Sequence, residues 1–143
     1  MKSTHNRAVR FCFTQGLTAL LLFFLAAGAE AQKQLPFTGG FTPEAITARP
    51  GDLVEVTLSV RAEQDYGTCR LTLMTPQGLK LVSGPAQVDI PGMRKEEVRT
   101  YAYFFEVLGA GEQRLVARAE VFRKDMTLAA GFVAMVNPAP RKE

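Results

Sequence analysis

Histidine, cysteine and tryptophan are almost missing from this chain. Its 143 residues include one His, two Cys and no Trp. His5 and Cys12 both lie near the N-terminus, so Cys69 is the only one of these residues further along. Without a histidine in the rest of the chain, Ser-His-Asp and Cys-His triads are excluded, and so are zinc and copper sites built on histidine. These absences exclude most hydrolases and copper-based electron carriers.

The N-terminus has the pattern of an export signal. Three basic residues precede an apolar run that is densest over 17–29, and residues 29–31 read Ala-Glu-Ala, the small-x-small pattern of a signal-peptidase site. We therefore predict a signal peptide over 1–31 and a mature chain that begins at Gln32. The protein is then exported, to the periplasm or the extracellular space.

A retained membrane anchor is the alternative interpretation of the same segment. The apolar stretch over 11–29 approaches the roughly twenty residues that span a bilayer. Thr14, Gln15, Gly16 and Thr18 interrupt it, so the dense apolar part is shorter than a membrane span. Cleavage is the interpretation that this length favours, and we expect no stable membrane insertion after it.

The predicted mature chain is close to electrically neutral. From residue 32 onward it holds 14 Lys and Arg against 13 Asp and Glu. A net charge this small gives no electrostatic reason to expect nucleic acid or an anionic membrane surface as a partner. We predict a protein or glycan of the cell envelope instead.

Cys69 has no second cysteine to pair with in the mature chain, so an intramolecular disulfide cannot form there. It alternates with Leu71 and Leu73 on one apolar face. A free cysteine in such a pattern is typically a small buried hydrophobe. The alternative is an exposed free thiol that forms an intermolecular disulfide.

The mature chain alternates apolar and polar residues with a period of two, which is typical of half-buried β-strands. Pairs such as Pro50-Gly51 and Pro91-Gly92 mark turns between the alternating segments. The segments predicted to be strands are 53–61, 69–74, two short ones around 79–81 and 88–90, 97–108, 113–122 and 126–136.

Seven to eight short strands with no helical spacing predict an all-β fold, an immunoglobulin-like antiparallel β-sandwich. Two sheets are required because the apolar face of each alternating strand must be covered by another such face. We expect an N-terminal extension over 32–42, the sandwich over 43–138 and a polar tail over 139–143.

Tyr101, Tyr103 and Phe105 recur at period two and therefore share one face of the strand 97–108. If that face is outward, the row forms a flat aromatic surface for binding a carbohydrate or a protein. If it is inward, the three rings fill the core. Both faces of this strand are apolar, so the pattern leaves the choice open.

Arg114 and Arg118 share a face of the strand 113–122 and form the second candidate surface. With Arg61, Arg70 or Arg99 on neighbouring strands they would make an arginine strip suited to a sulfated or phosphorylated glycan or an acidic partner. The alternative is a solvated outer face whose charges maintain solubility.

No catalytic, cofactor or metal site emerges from the remaining residues. Glu63 and Asp65 supply too few oxygen ligands for calcium, which needs six to eight. Glu96 and Glu97 are adjacent and point to opposite faces of a strand, so they cannot act together on one substrate. A small enzyme that uses carboxylates and arginine is the least supported interpretation.

The sequences and positions of the predicted turns resemble those of a known group of modules. The chain has Pro50-Gly51-Asp52 before VEVTLSV, a PQG turn inside RLTLMTPQGLKLVSG, and 109–112 (GAGE) before RLVARAEVF. Over 42–138 it is similar to bacterial Ig-like accessory modules of the CARDB and alpha-galactosidase-associated kinds, although its turn over 63–67 departs from their usual Asn-containing one. The resemblance implies a non-catalytic fold module and transfers no site residues.

These observations predict an exported, non-catalytic Ig-like module of the cell envelope with a binding or structural role. Contact with its partner would be made through an open strand edge or the aromatic row, with strand addition as one mode. The alternative function is a pilus-chaperone-like or adhesin assembly subunit that works by strand addition.

Overall fold

A computed structural model describes residues 34–140, and the predicted signal peptide lies outside them. This range is all-β, as predicted. No element in it is a helix with the length and apolar character needed to cross a membrane. Its nine strands are β1 (Phe37–Thr42), β2 (Ala45–Ile46), β3 (Leu53–Ala62), β4 (Cys69–Met74), β5 (Leu79–Ser83), β6 (Gln87–Ile90), β7 (Val98–Val107), β8 (Gln113–Phe122) and β9 (Thr127–Val136).

The strands form two facing sheets, which confirms the predicted Ig-like β-sandwich. One sheet has the order β1-β3-β7-β5, and the other has the order β2-β9-β8-β4-β6. Neighbouring strands pair antiparallel except for β2, which runs parallel to the end of β9. The four long strands β3, β7, β8 and β9 have ten residues each, so they carry most of the pairing.

The period-two alternation decides which side chains fill the space between the sheets. In β3 the side chains of Val54, Val56, Leu58 and Val60 are buried, while the residues between them are exposed or half-buried. Alternate residues of β4, β8 and β9 face them from the other sheet in one apolar cluster. The buried residues of the described range include no charged side chain, so apolar burial is the main source of stability.

Segment 32–42 corrects the expectation of an N-terminal extension, because most of it belongs to the sandwich. β1 pairs with β3 along its whole length, and Phe37 and Phe41 are buried in the core. Gly39 has a φ of 129°, and a Cβ at that position would collide with the carbonyl oxygen of Ser59. The two glycines of FTGGFT supply no alternating side chains, so the period-two pattern missed this strand.

The chain changes sheets between β1 and β2, at the cis peptide bond Thr42–Pro43. β2 is then held to the end of β9 by backbone and side-chain bonds. The amide of Asn137 donates to the Ile46 carbonyl at 2.7 Å, and its side-chain oxygen accepts from the Ala48 amide at 2.8 Å. Asn137 has a φ of 53°, a left-handed conformation that asparagine tolerates better than most residues.

Candidate binding surface

The aromatic row faces the core, so the inward alternative is correct and the row forms no binding surface. Tyr103 and Phe105 are 0% exposed and Tyr101 is half-buried. The rings of Tyr103 and Phe105 stack with their centroids 6.2 Å apart. Burial raises the pKa of Tyr103 to about 12, because the tyrosinate would be desolvated there. These rings contribute buried area and are not available for recognition.

Cys69 is also buried, with 1% of its surface exposed, as expected for a small hydrophobe. Its thiol donates to the Gly67 carbonyl at 3.2 Å, and desolvation raises the pKa of the thiol. Beside it lies an apolar recess of about 10 Å³, room for one water molecule at most. A buried thiol with a raised pKa is a poor nucleophile, so the exposed-thiol alternative is wrong.

Arg114 and Arg118 lie on the outer face of the five-stranded sheet, where both are exposed. Arg70 shares that face, because β4 pairs with β8. Arg61 and Arg99 lie in the four-stranded sheet and do not join the strip.

Ion pairs occupy two of these three guanidinium groups. Arg70 lies 2.7 Å from Asp89, and this hydrogen bond lowers the pKa of the Asp89 carboxyl. Arg118 lies 3.1 Å from Glu120 through one of its terminal nitrogens. The face is therefore a mixed-charge surface with a small excess of positive charge.

An apolar row crosses this same face between Arg114 and Arg118. Met74 in β4 lies opposite Val116 in β8, which lies opposite Val133 in β9. Met74 and Val133 are exposed and Val116 is half-buried. Directly opposed side chains on one sheet face contact each other, so the three form a continuous ridge that ends at β9.

β9 presents an open edge beyond that ridge. Among residues 34–140, β2 pairs only with Met135 and Val136 of β9, and no strand of this range pairs with residues 127–134 on that side. The Met135 amide donates outward to the Glu44 carbonyl at 2.8 Å. Since backbone groups alternate along a strand, the amides and carbonyls of residues 127, 129, 131 and 133 also point to the open side.

The open stretch of β9 lacks the features that usually protect a sheet edge. Residues 127–134 read TLAAGFVA, with no charged residue and no proline. β1 packs against β9, but its strand pairing is with β3 in the other sheet, so the outward backbone groups of β9 are not paired with it. An edge of this kind is a template for pairing with another chain.

The other edges are shorter or irregular, and that of β1 in the four-stranded sheet has six residues. β6 has four residues, and Asp89 on it is engaged by Arg70. β5 has an irregularity between Leu81 and Ser83. The candidate surface is therefore the open edge of β9 with the ridge beside it. The alternation in 126–136 showed a strand, but no sequence signal revealed that its partner β2 is only two residues long.

Two acidic residues, Asp65 and Glu97, hold the loops around them through backbone hydrogen bonds. Asp65 accepts from the Lys95 amide at 2.7 Å, and Glu97 accepts from the Arg94 amide at 2.8 Å. The bond from Arg94 lowers the pKa of Glu97. Within residues 34–140 no group of three or more His, Cys, Asp and Glu side chains is arranged to hold a metal ion.

No family model and no curated protein matches the chain. Among solved structures it is similar to an ASH/PapD-like domain of human CEP192, with a TM-score of 0.48, 12% identity, and coverage of 79% of this chain and 94% of that one. It is also similar to WR4, a member of the MSP family of C. elegans, with a TM-score of 0.42, 8% identity, and coverage of 71% and 99%.

Proposed function

We propose that this protein is an exported, non-catalytic binding module of the cell envelope that takes an extended segment of a partner protein along the open edge of β9. The segment adds a strand to the five-stranded sheet. Main-chain hydrogen bonds provide affinity in this mode, and the side chains beside the edge provide selectivity.

The unpaired stretch 127–134 of β9 is the main support for this proposal. Its outward backbone groups are free to pair, and three of its outward residues, Thr127, Gly131 and Val133, are exposed. A strand docked there would extend the ridge of Met74, Val116 and Val133 by one side chain. Apolar contact would then accompany the backbone pairing.

The absence of catalysis is supported by the residues that remain after the N-terminal segment. No histidine follows residue 31. The acidic residues Asp65, Asp89 and Glu97 are engaged by backbone amides or arginine, and Cys69 is buried. No convergent acid and base pair is formed by these groups.

Site-specific photo-crosslinking in the living cell tests the proposal. A photoreactive residue replaces Val133 at the β9 edge, and in a matched strain it replaces Gln87 at the β6 edge of the same sheet. We expect a partner adduct from position 133 and none from position 87. The crosslinked peptide should come from an extended segment of an envelope protein.

Ala129→Pro supplies the control for backbone pairing. The amide of Ala129 points to the open edge, so proline removes a donor to the partner and no bond within the sheet. Gln87→Pro is the matched change, because the amide of Gln87 also points away from its neighbour β4. Ala129→Pro should abolish the adduct and Gln87→Pro should leave it; adducts that survive Ala129→Pro contradict strand addition.

The identity of the adduct also separates the alternative function. A pilus-chaperone-like or adhesin assembly subunit working by strand addition would use the same edge. In that case the crosslinked partner is a subunit that polymerises, and the assembled fibre is lost in the Ala129→Pro strain. A single envelope protein as the adduct favours the simple binding module.

A further inference from the structure

We infer that the β9 edge selects an extended segment that carries an acidic side chain opposite Gly131 and an apolar side chain opposite Val133. This inference rests on the proposed strand addition and names the chemistry of its partner. The two positions are two residues apart in the incoming strand whether it runs parallel or antiparallel to β9.

Because Gly131 has no side chain, the Arg118 side chain can reach across β9 to its open edge. Arg118 in β8 lies directly opposite Gly131 in β9, and both are exposed on the outer face. No atom of residues 34–140 lies within 4 Å of a Cβ placed on Gly131, so this range leaves the space above it open. An incoming strand lies about two strand spacings from β8, roughly 10 Å, a span that an arginine and a glutamate side chain bridge together.

Arg118 has N–H donors that its ion pair with Glu120 does not use. Its ion pair with Glu120 uses one terminal nitrogen, and its side chain is 53% exposed. A guanidinium has five N–H donors, so it can hold a second carboxylate. Arg118 therefore makes an acidic residue opposite Gly131 the favoured choice.

The neighbouring positions fix the register of the segment. Glu120 lies opposite Ala129, so an acidic residue facing Ala129 would be repelled. Val133 ends the ridge of Met74 and Val116, so a β-branched residue facing it continues the apolar contact. A slip by two residues would move the acidic side chain opposite Ala129, beside Glu120, or opposite Val133, and binding would weaken.

Two soluble synthetic peptides test the inference by fluorescence anisotropy with the purified exported protein. In KTVAEAVTK the outward positions carry Val, Glu and Val, so either strand direction places Glu opposite Gly131 and Val opposite Val133; in its twin KTVAKAVTK lysine replaces the glutamate. We expect the glutamate peptide to bind about two- to fivefold more tightly than its twin, the range of exposed ion pairs. The preference should shrink at high salt.

Arg118→Glu should reverse the preference between the peptides, and Arg114→Glu is the matched control. Arg114 lies opposite Met135, beyond which Ala45 of β2 already occupies the edge. Arg114→Glu should therefore keep the preference. Gly131→Val places a side chain between Arg118 and the incoming strand. The variant should fold, because that side chain meets open space, and it should bind both peptides equally.

Each other result overturns the inference in a distinguishable way. Equal binding of the two peptides, lost in Ala129→Pro, removes the acidic selectivity and leaves strand addition standing. Binding of neither peptide rejects the selectivity, and the crosslinking from position 133 then decides the proposed function separately. Self-association that Ala129→Pro abolishes identifies a second copy of this chain as the occupant and also overturns the inference.

Discussion

At the scale of single residues, Tyr103 is the least expected feature of the core. Its ring fills space between the sheets, but its hydroxyl has no hydrogen-bond partner within the described residues. A buried hydroxyl without a partner costs about 1–3 kcal/mol of stability. Burial also raises the pKa of this hydroxyl to about 12, so it is protonated at neutral pH.

Tyr103→Phe should therefore keep or raise stability at neutral pH. It removes the unpaired hydroxyl and leaves the ring in place, so we expect a gain of about 0–1 kcal/mol in the free energy of unfolding. Urea denaturation measures it. As the control, Tyr103→Ala should lose about 3–5 kcal/mol, because it leaves a cavity.

The same substitution has a consequence at alkaline pH. The pKa of Tyr103 is higher in the folded state than the ordinary 10.0, so the folded protein stays protonated where the unfolded chain does not. Stability is fully present below pH 10 and falls as the pH rises from 10 towards 12. Tyr103→Phe should flatten that decline, and an unchanged decline would assign it to other groups.

At the scale of elements, β1 closes one side of the sandwich despite its two glycines. Phe37 and Phe41 bury their rings in the common core, and Phe37 lies 5.3 Å from the ring of Tyr66. The strand depends on Gly39, where a side chain would collide with the β3 backbone. The core thus reaches further towards the N-terminus than the sequence pattern indicated.

Phe41→Ala should destabilise the protein by about 3–5 kcal/mol, because it deletes a fully buried ring. Phe41 is 2% exposed, while Leu35 outside the strand is 59% exposed. Leu35→Ala is the matched apolar control and should change stability by less than about 0.5 kcal/mol. Thermal unfolding of both variants compares them, and equal midpoints would show that β1 is dispensable.

At the scale of the whole molecule, the proposed export would place the sandwich in the compartment of its partner. The leader 1–31 and the site Ala29-Glu30-Ala31 predict cleavage before Gln32. The described domain starts only a few residues later, at β1. Cleavage at that site would leave only a short segment before β1.

Ala31→Leu should block this cleavage, because the residue before the cut must be small. Glu30→Gln changes the tolerant middle position and is the control. N-terminal sequencing should find Gln32 in the unaltered protein and in Glu30→Gln. Ala31→Leu should remain in the membrane fraction with its leader, and an unaltered protein that retains Met1 would contradict cleavage.

Much of the fold follows from the sequence by itself. Period-two alternation places the strands at 69–74 and 113–122 where the structure has them, because an apolar face demands a partner sheet whatever the topology. The burial of Cys69 follows from the same face. These features depend only on neighbours along the chain, which a local pattern can report.

Only the tertiary structure decides where the candidate binding surface lies. Tyr101, Tyr103 and Phe105 lie on a strand with two apolar faces, so only packing against the second sheet shows which face is inward. Arg70 joins Arg118 on one face because β4 pairs with β8, a partner 40 or more residues away. The open edge of β9 exists because β2 ends after two residues, and pairing between distant segments is not encoded in any local period.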